Sequence, residues 1–168
     1  MDRKHHWAWP HFSGRTITRD QHKIHFQQEY AVYVRDFPVF LARIHGKNPP
    51  PEVRSLLAGN IYEEETGGLS LGRSHPELFL TMMKGFGYDQ AEFRNVALLP
   101  ASRSYRRWLD SVSANRDWII GADAYAIALT HATTRTQQEA VLSSLKKSLT
   151  LWLRFRDGIA RACGLKKS

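Results

Sequence analysis

Phe26, Tyr30, Tyr33, Phe37, Phe40 and Ile44 recur at alternating steps of four and three residues, the spacing that lines one face of an α-helix. An apolar helical face of this length has to be covered by other helices, and no segment reads convincingly as a strand. The expectation is therefore an all-α protein, a bundle of about six helices. Thr18 and Gln21 mark the start of the first helix as a capping box, in which each side chain serves the other's backbone amide. Pro38 lacks an amide donor and its ring crowds the preceding turn, so it should kink or split this helix near Phe37.

The remaining helices follow from the same punctuation. The run HGKNPPPE at 45–52 ends the first helical unit, and a second helix is predicted from about Glu52 to Glu65, with Val53, Leu56, Leu57 and Ile61 buried and Gly67 and Gly68 closing it. A capping box of Ser74 and Glu77 starts a third helix, with Leu78, Phe79, Met82, Met83 and Phe86 facing inward until GFGYD stops it. A helix is predicted from Ala101, and RDWIIGADAYAIALTHA reads as a nearly all-apolar, buried helix. The last helix, 136–162, is expected to open with Thr136 and Glu139 as a capping box and to bury Val141, Leu145, Leu149, Trp152, Phe155 and Ile159.

With 168 residues, the chain is expected to form a single domain, 1–168. Lys and Arg number 24 against 16 Asp and Glu, but the excess is scattered and no basic run is interleaved with aromatics, so no nucleic-acid partner is expected. No run approaches the roughly 18 apolar residues of a membrane-spanning helix, and the opening MDRKHHWAWPHFSGR lacks the apolar stretch of a secretory signal. A cytoplasmic location without a membrane partner is the expectation. A single cysteine, Cys163, excludes a Cys-based zinc site, so a metal here would need His and carboxylate ligands, a set that favours iron or manganese. No Gly-x-Ser-x-Gly turn or phosphate-cradling glycine loop is present, which leaves hydrolase and nucleotide-binding readings without support.

The segment NIYEEETGGLSLGRSHPELF, 60–79, places Glu63, Glu64 and Glu65, a glycine pair and His75 close together. Read on its residues, it is either a solvated helix end, a loop and the next helix start, or part of a metal site of the kind that bundles build from inward-facing carboxylates and histidines. The His5–His6–Trp7 start with His11 could bind a transition metal but reads more simply as incidental. His22 and His25, three apart with no matching carboxylate, read as surface residues. Tyr30, Tyr33 and the phenylalanines around them read as core.

The runs YAVYVRDFPVFLARI, LAGNIYEEETGG, SHPELFLTMMKGFGYD, LLPASRSYRRWLDSV and WIIGADAYAIAL resemble the haem-oxygenase-like bundle family, which includes pyrroloquinoline-quinone synthase C, the thiaminase-type TENA proteins and the haem-oxygenase-like di-iron oxidases. The resemblance spans 18–129, and its most specific piece is Asn60, Glu63, Glu64, a glycine turn and His75-Pro-Glu-Leu. It implies a haem-oxygenase-like helical bundle and an iron-dependent oxidoreductase that oxidises a small organic substrate with dioxygen. It further implies Glu64, with Glu63 as the fallback, and His75 as iron ligands of a di-iron centre.

The rest of the implied ligand set is missing. Thr130 or His131 stands where the resemblance implies a glutamate, and on the last helix Asp157 is flanked by Leu153 and Ala160 where histidines are implied. The expectation is therefore a chain end that is truncated, out of frame or divergent, an incomplete bundle, and iron binding that is weak or absent. The alternatives are a non-enzymatic bundle that binds a small molecule or a protein, and a single metal on Glu64, His75 and a nonstandard third ligand. An incomplete bundle leaves apolar surface uncovered, from which a homodimer or a poorly soluble monomer is expected.

Overall fold

A computed structural model describes residues 6–122 and 131–167. Among them there are helices and no strand: α1 (Trp9–Phe12), α2 (Arg19–Glu29), a π-helical turn (Tyr30–Val34), α3 (Phe37–His45), α4 (Pro51–Thr66), α5 (His75–Gly85), α6 (Ala91–Arg94), α7 (Pro100–Ser113), α8 (Trp118–Gly121) and α9 (Arg135–Ala162). No helix among the described residues is long and apolar enough to cross a membrane.

The aromatic stripe at 26–44 is one bent rod, α2 to α3. Thr18 and Gln21 form the capping box at its start. The π turn carries an i→i+5 hydrogen bond from the Arg35 amide to the Tyr30 carbonyl at 3.1 Å, and Pro38 in the first turn of α3 lets the helix resume in a new phase. One extra residue in this turn spreads its side chains over different neighbours. Tyr30 packs with Met83, Tyr88 and Phe93, and Val32 with Phe155, Ile159 and Cys163. Arg106 on α7 ties the bend to the next layer by pairing with Asp36 and, at 3.0 Å, with Asp110.

α3 packs on α4, and α7 on the long α9. Leu41, Ile44, Val53, Leu57 and Ala122 form the core between α3, α4 and the end of α8. Buried Gln28 holds the chain that enters α7, donating to the Ala97 carbonyl and accepting from the Leu99 amide.

Several expected details are corrected. Leu56, Met82 and Phe86 are exposed rather than inward. Each lies one step around the helix, or one turn beyond, from a truly buried neighbour, Leu57 or Met83. α4 and α5 have neighbours on only a narrow stripe, so the apolar face is narrower than the composition suggested. Ser74 accepts from the Glu77 amide at 3.3 Å, one half of the predicted box. The last helix begins at Arg135 rather than 136, because Thr134 and Gln137 form the capping box while Glu139 pairs with Arg135 across one turn at 2.9 Å. Val141, Phe155 and Ile159 are buried as expected, and Leu145, Leu149 and Trp152 partly so. Of the predicted all-apolar helix, residues 118–121 form α8, and 123–130 lie outside the described residues.

α4 and α5 are joined by a glycine turn whose geometry only glycine tolerates. Gly67 has φ 61°, and a Cβ there would stand 2.2 Å from the Arg73 carbonyl oxygen. Gly72, at φ 67°, faces open space. Gly67→Ala is expected to cost more than about 2 kcal/mol, and Gly72→Ala only about 1 to 2 kcal/mol. Denaturant unfolding of both variants checks this; equal losses would contradict it.

Candidate functional site

The segment 60–79 folds into a corner. The Gly67 amide donates to the Glu63 carbonyl at 2.7 Å, the Gly72 amide returns to the Gly67 carbonyl at 2.7 Å, and the loop between them wraps the Glu63 side chain. The carboxylate of Glu63 accepts from the Leu69 amide at 2.8 Å and from the Ser70 hydroxyl. These bonds, the Ser70 hydroxyl foremost, hold its pKa below the ordinary carboxylate range. Ser74 then caps α5, and His75 occupies its first helical position, directed back at the end of α4.

His75 lies between two carboxylates. Its Nε2 is 3.3 Å from Glu63 Oε1, and its Nδ1 is 2.9 Å from Glu64 Oε2. The His75 side chain is 40% exposed, those of Glu63 and Glu64 19% and 16%. Glu65 points to solvent. The expected contact between Glu64 and His75 is therefore present, at a half-exposed corner and not in a dry interior. Because the two ring nitrogens face away from each other, no single ion can sit against both carboxylates through this ring. Among the described residues, no three His, Cys, Asp or Glu side chains converge to hold a metal ion.

One edge of the ring sets Glu64 Oε2 2.9 Å from His75 Nδ1, ordinary hydrogen-bond distance, so the pair are at most two candidate ligands of a metal. The opposite edge supplies the usual support of a ligating imidazole, since Nε2–H can donate to Glu63, a carboxylate already fixed by the loop. The corner thus offers two ligands and an orienting group.

The other candidates lie elsewhere. His131 approaches Glu52, at 3.9 Å, and packs its ring edge against Trp118. Glu52 is twelve residues before Glu64, about 18 Å along α4, so His131 does not join the corner. Thr130 lies outside the described residues. Asp157 accepts from Trp7 Nε1 at 2.8 Å and pairs with His6 Nε2 at 3.0 Å. Ala160 is buried, and Leu153 lines an open groove beside Asp157. His6 and His11 are held in local hydrogen bonds, His11 with Gln21.

The interior holds a polar group that sequence reasoning missed. Glu29 and Arg156, both almost fully buried, form an ion pair between α2 and α9, and Tyr33 donates its hydroxyl to Glu29. The guanidinium lies about 5 Å from the ring centres of Trp9, Trp152 and Phe155. Burial raises the Glu29 pKa, with Arg156 and Tyr33 opposing; burial also raises that of Tyr33. A signal was available: both charged residues sit within apolar stripes, Glu29 between Phe26 and Tyr33, Arg156 between Trp152 and Ile159. His25, expected at the surface, is buried, stacks on Phe12 at 4.6 Å, and leaves Nδ1 without a hydrogen-bond partner.

An apolar cavity of about 230 Å³ lies nearby, lined in part by Tyr33, Phe37, Phe40, Tyr105, Leu109 and Trp152. None of Glu63, Glu64 and His75 borders it.

Residues 24–153 match a family described as iron-containing redox enzyme. The match runs past residue 129 into α9. No protein of curated function matches the chain.

Two predictions test the interior. Arg156→Ala leaves the Glu29 carboxylate buried without its partner and should cost about 3 to 5 kcal/mol, whereas Glu29→Leu with Arg156→Met should recover most of that; denaturant unfolding reads both. Burial, with Arg156 and His22 adding, lowers the His25 pKa to about 3. The folded state therefore keeps His25 neutral while the unfolded chain takes up a proton below about pH 6.5, so stability is lost as pH falls below that value. Between pH 6.5 and 4.5 the loss from this residue should be about 2 kcal/mol, and His25→Phe should flatten the stability profile there by that amount. An unchanged slope would contradict it.

Proposed function

We propose a function from a fact of kinship: the chain belongs to the haem-oxygenase-like family of iron-containing redox enzymes, and Glu64 and His75 are its means of holding iron. The observation that carries this reading is the ordered sequence Leu69 and Ser70 to Glu63, Glu63 to His75, His75 to Glu64. A carboxylate fixed by its own loop orients the imidazole, which presents Nδ1 beside a second carboxylate. The donor set, one carboxylate oxygen and one imidazole nitrogen, suits ferrous iron.

Iron held there would supply the chemistry with dioxygen by which a small organic substrate is oxidised. The chain's own residues do the rest. Glu63 orients His75 by accepting from Nε2–H, which turns Nδ1 toward Glu64. Two ligands give a single iron rather than a pair, bound weakly. Because the corner is half-exposed, the substrate reaches it from solvent.

A second reading, a non-enzymatic bundle that binds a small molecule, is favoured by the cavity, which stands apart from the corner. At about 230 Å³ it falls below the roughly 300–1,000 Å³ of drug-sized sites. Its occupant would be a compact apolar molecule, packed against Tyr33, Phe37, Phe40 and Trp152.

Anaerobic ferrous titration followed by elemental analysis separates the readings. The wild type should take up iron, Glu64→Ala and His75→Ala should lose it, and Glu63→Gln should retain binding weakened by about 10- to 100-fold. Iron uptake that is the same in all four proteins, or absent from the wild type, would leave the scaffold reading alone.

A further inference from the structure

We infer that the apolar cavity formed by the π turn, α3, α7, α8 and α9 binds a compact, uncharged aromatic molecule. The inference rests on the reading of this cavity as a small-molecule site and not on iron. Tyr33, Phe37, Phe40, Tyr105 and Trp152 give it aromatic walls. A bundle interior is ordinarily packed to crystal density, and an apolar void forfeits the contacts its lining would otherwise make. Rings of this size close a volume of about 230 Å³ unless other groups hold them apart.

Such groups are present, and none of them lines the cavity. Tyr33 donates its hydroxyl proton to Glu29, whose carboxylate is paired with Arg156. The guanidinium carbons of Arg106 and Arg43 lie 5.1 and 5.8 Å from the Phe40 ring centre, and both arginines are tied to Asp110. The Tyr105 ring packs against Phe155 at 5.6 Å, and the Trp152 ring against the Arg156 guanidinium at 5.0 Å. The backbone contributes as well. Tyr33 lies in the π turn and Phe37 opens the helix just beyond it, and π turns within helices are frequent at functional sites. The buried Glu29–Arg156 pair is weak evidence for stability, but it contacts two of the walls, Tyr33 and Trp152, and so keeps the cavity formed.

The lining also defines the occupant. None of its described residues is Asp, Glu, Lys, Arg or His. The charges that hold the walls are engaged with one another, Glu29 with Arg156, and Arg106 with Asp36 and Asp110. A charged ligand would therefore lose its hydration without gaining a partner. Aromatic walls favour an aromatic guest through offset and edge-to-face contacts. An apolar cavity of roughly 150 Å³ takes up benzene, so about 230 Å³ admits a substituted ring or a fused pair.

Protein NMR on the full chain tests this with p-cresol, its ring-saturated counterpart methylcyclohexanol, p-toluate and p-methylbenzylamine, read at the indole N–H of Trp152. p-Cresol should shift this resonance saturably with a Kd of about 1 mM or below, while that of Trp7, which borders a separate open groove, stays in place. Methylcyclohexanol should bind about tenfold more weakly, and the anionic and cationic probes more weakly by about tenfold or more. Leu109→Phe, which enlarges a lining side chain, should abolish the p-cresol shift with the helices intact by circular dichroism; the comparison of probes on the wild type stands without that variant. A saturated or charged probe that binds as tightly as p-cresol would overturn the aromatic class and leave the small-molecule reading standing. No p-cresol shift at Trp152 in the wild type, or one undiminished in folded Leu109→Phe, would overturn the inference and that reading together, with the iron reading untouched.

Discussion

The left-handed backbone at Gly67 decides what the α4–α5 corner can do. With φ at 61° and the Arg73 carbonyl where a Cβ would stand, the chain turns at Gly67, and its loop amide and hydroxyl fall onto the Glu63 carboxylate. That carboxylate, kept ionised by those donors, sets the His75 ring, and the ring meets Glu64. A looser connection would leave the same three residues as independent solvated side chains. The cost of one strained turn is converted into the placement of an imidazole.

The bundle interior follows a different logic. Where α2 and α9 face each other, the buried carboxylate of Glu29 meets a guanidinium and a phenol, not a metal. Arg156, enclosed by aromatic rings, supplies the positive charge permanently, and α9 points Asp157 outward toward His6 and Trp7. The interior therefore has its counter-ion built in.

The sequence revealed the helices well, because prolines, glycines and capping side chains act locally. Thr18 with Gln21, the break at Pro38 and the stop at Gly67 are each decided by a few neighbouring residues. It was less informative about which apolar residues are buried, since that depends on how many neighbours a helix has; Leu56 and Met82 are exposed because α4 and α5 are covered along a narrow stripe only. The pairing of Glu64 with His75 came from the order of a motif. That Glu63 stands behind His75 could not, because the bond runs through a loop conformation. The Glu29–Arg156 pair joins residues 127 positions apart, and only their place in apolar stripes hinted at it.

The most direct measurement is paramagnetic broadening of histidine ring resonances by manganese, a divalent stand-in for ferrous iron with similar ligand preferences. The chain has 8 histidines, so the ring that broadens first identifies the ligand. The account predicts His75 before all others, with the effect lost in Glu64→Ala. Broadening that begins at the N-terminal His5, His6 or His11, or that spreads evenly over the exposed rings, would contradict it.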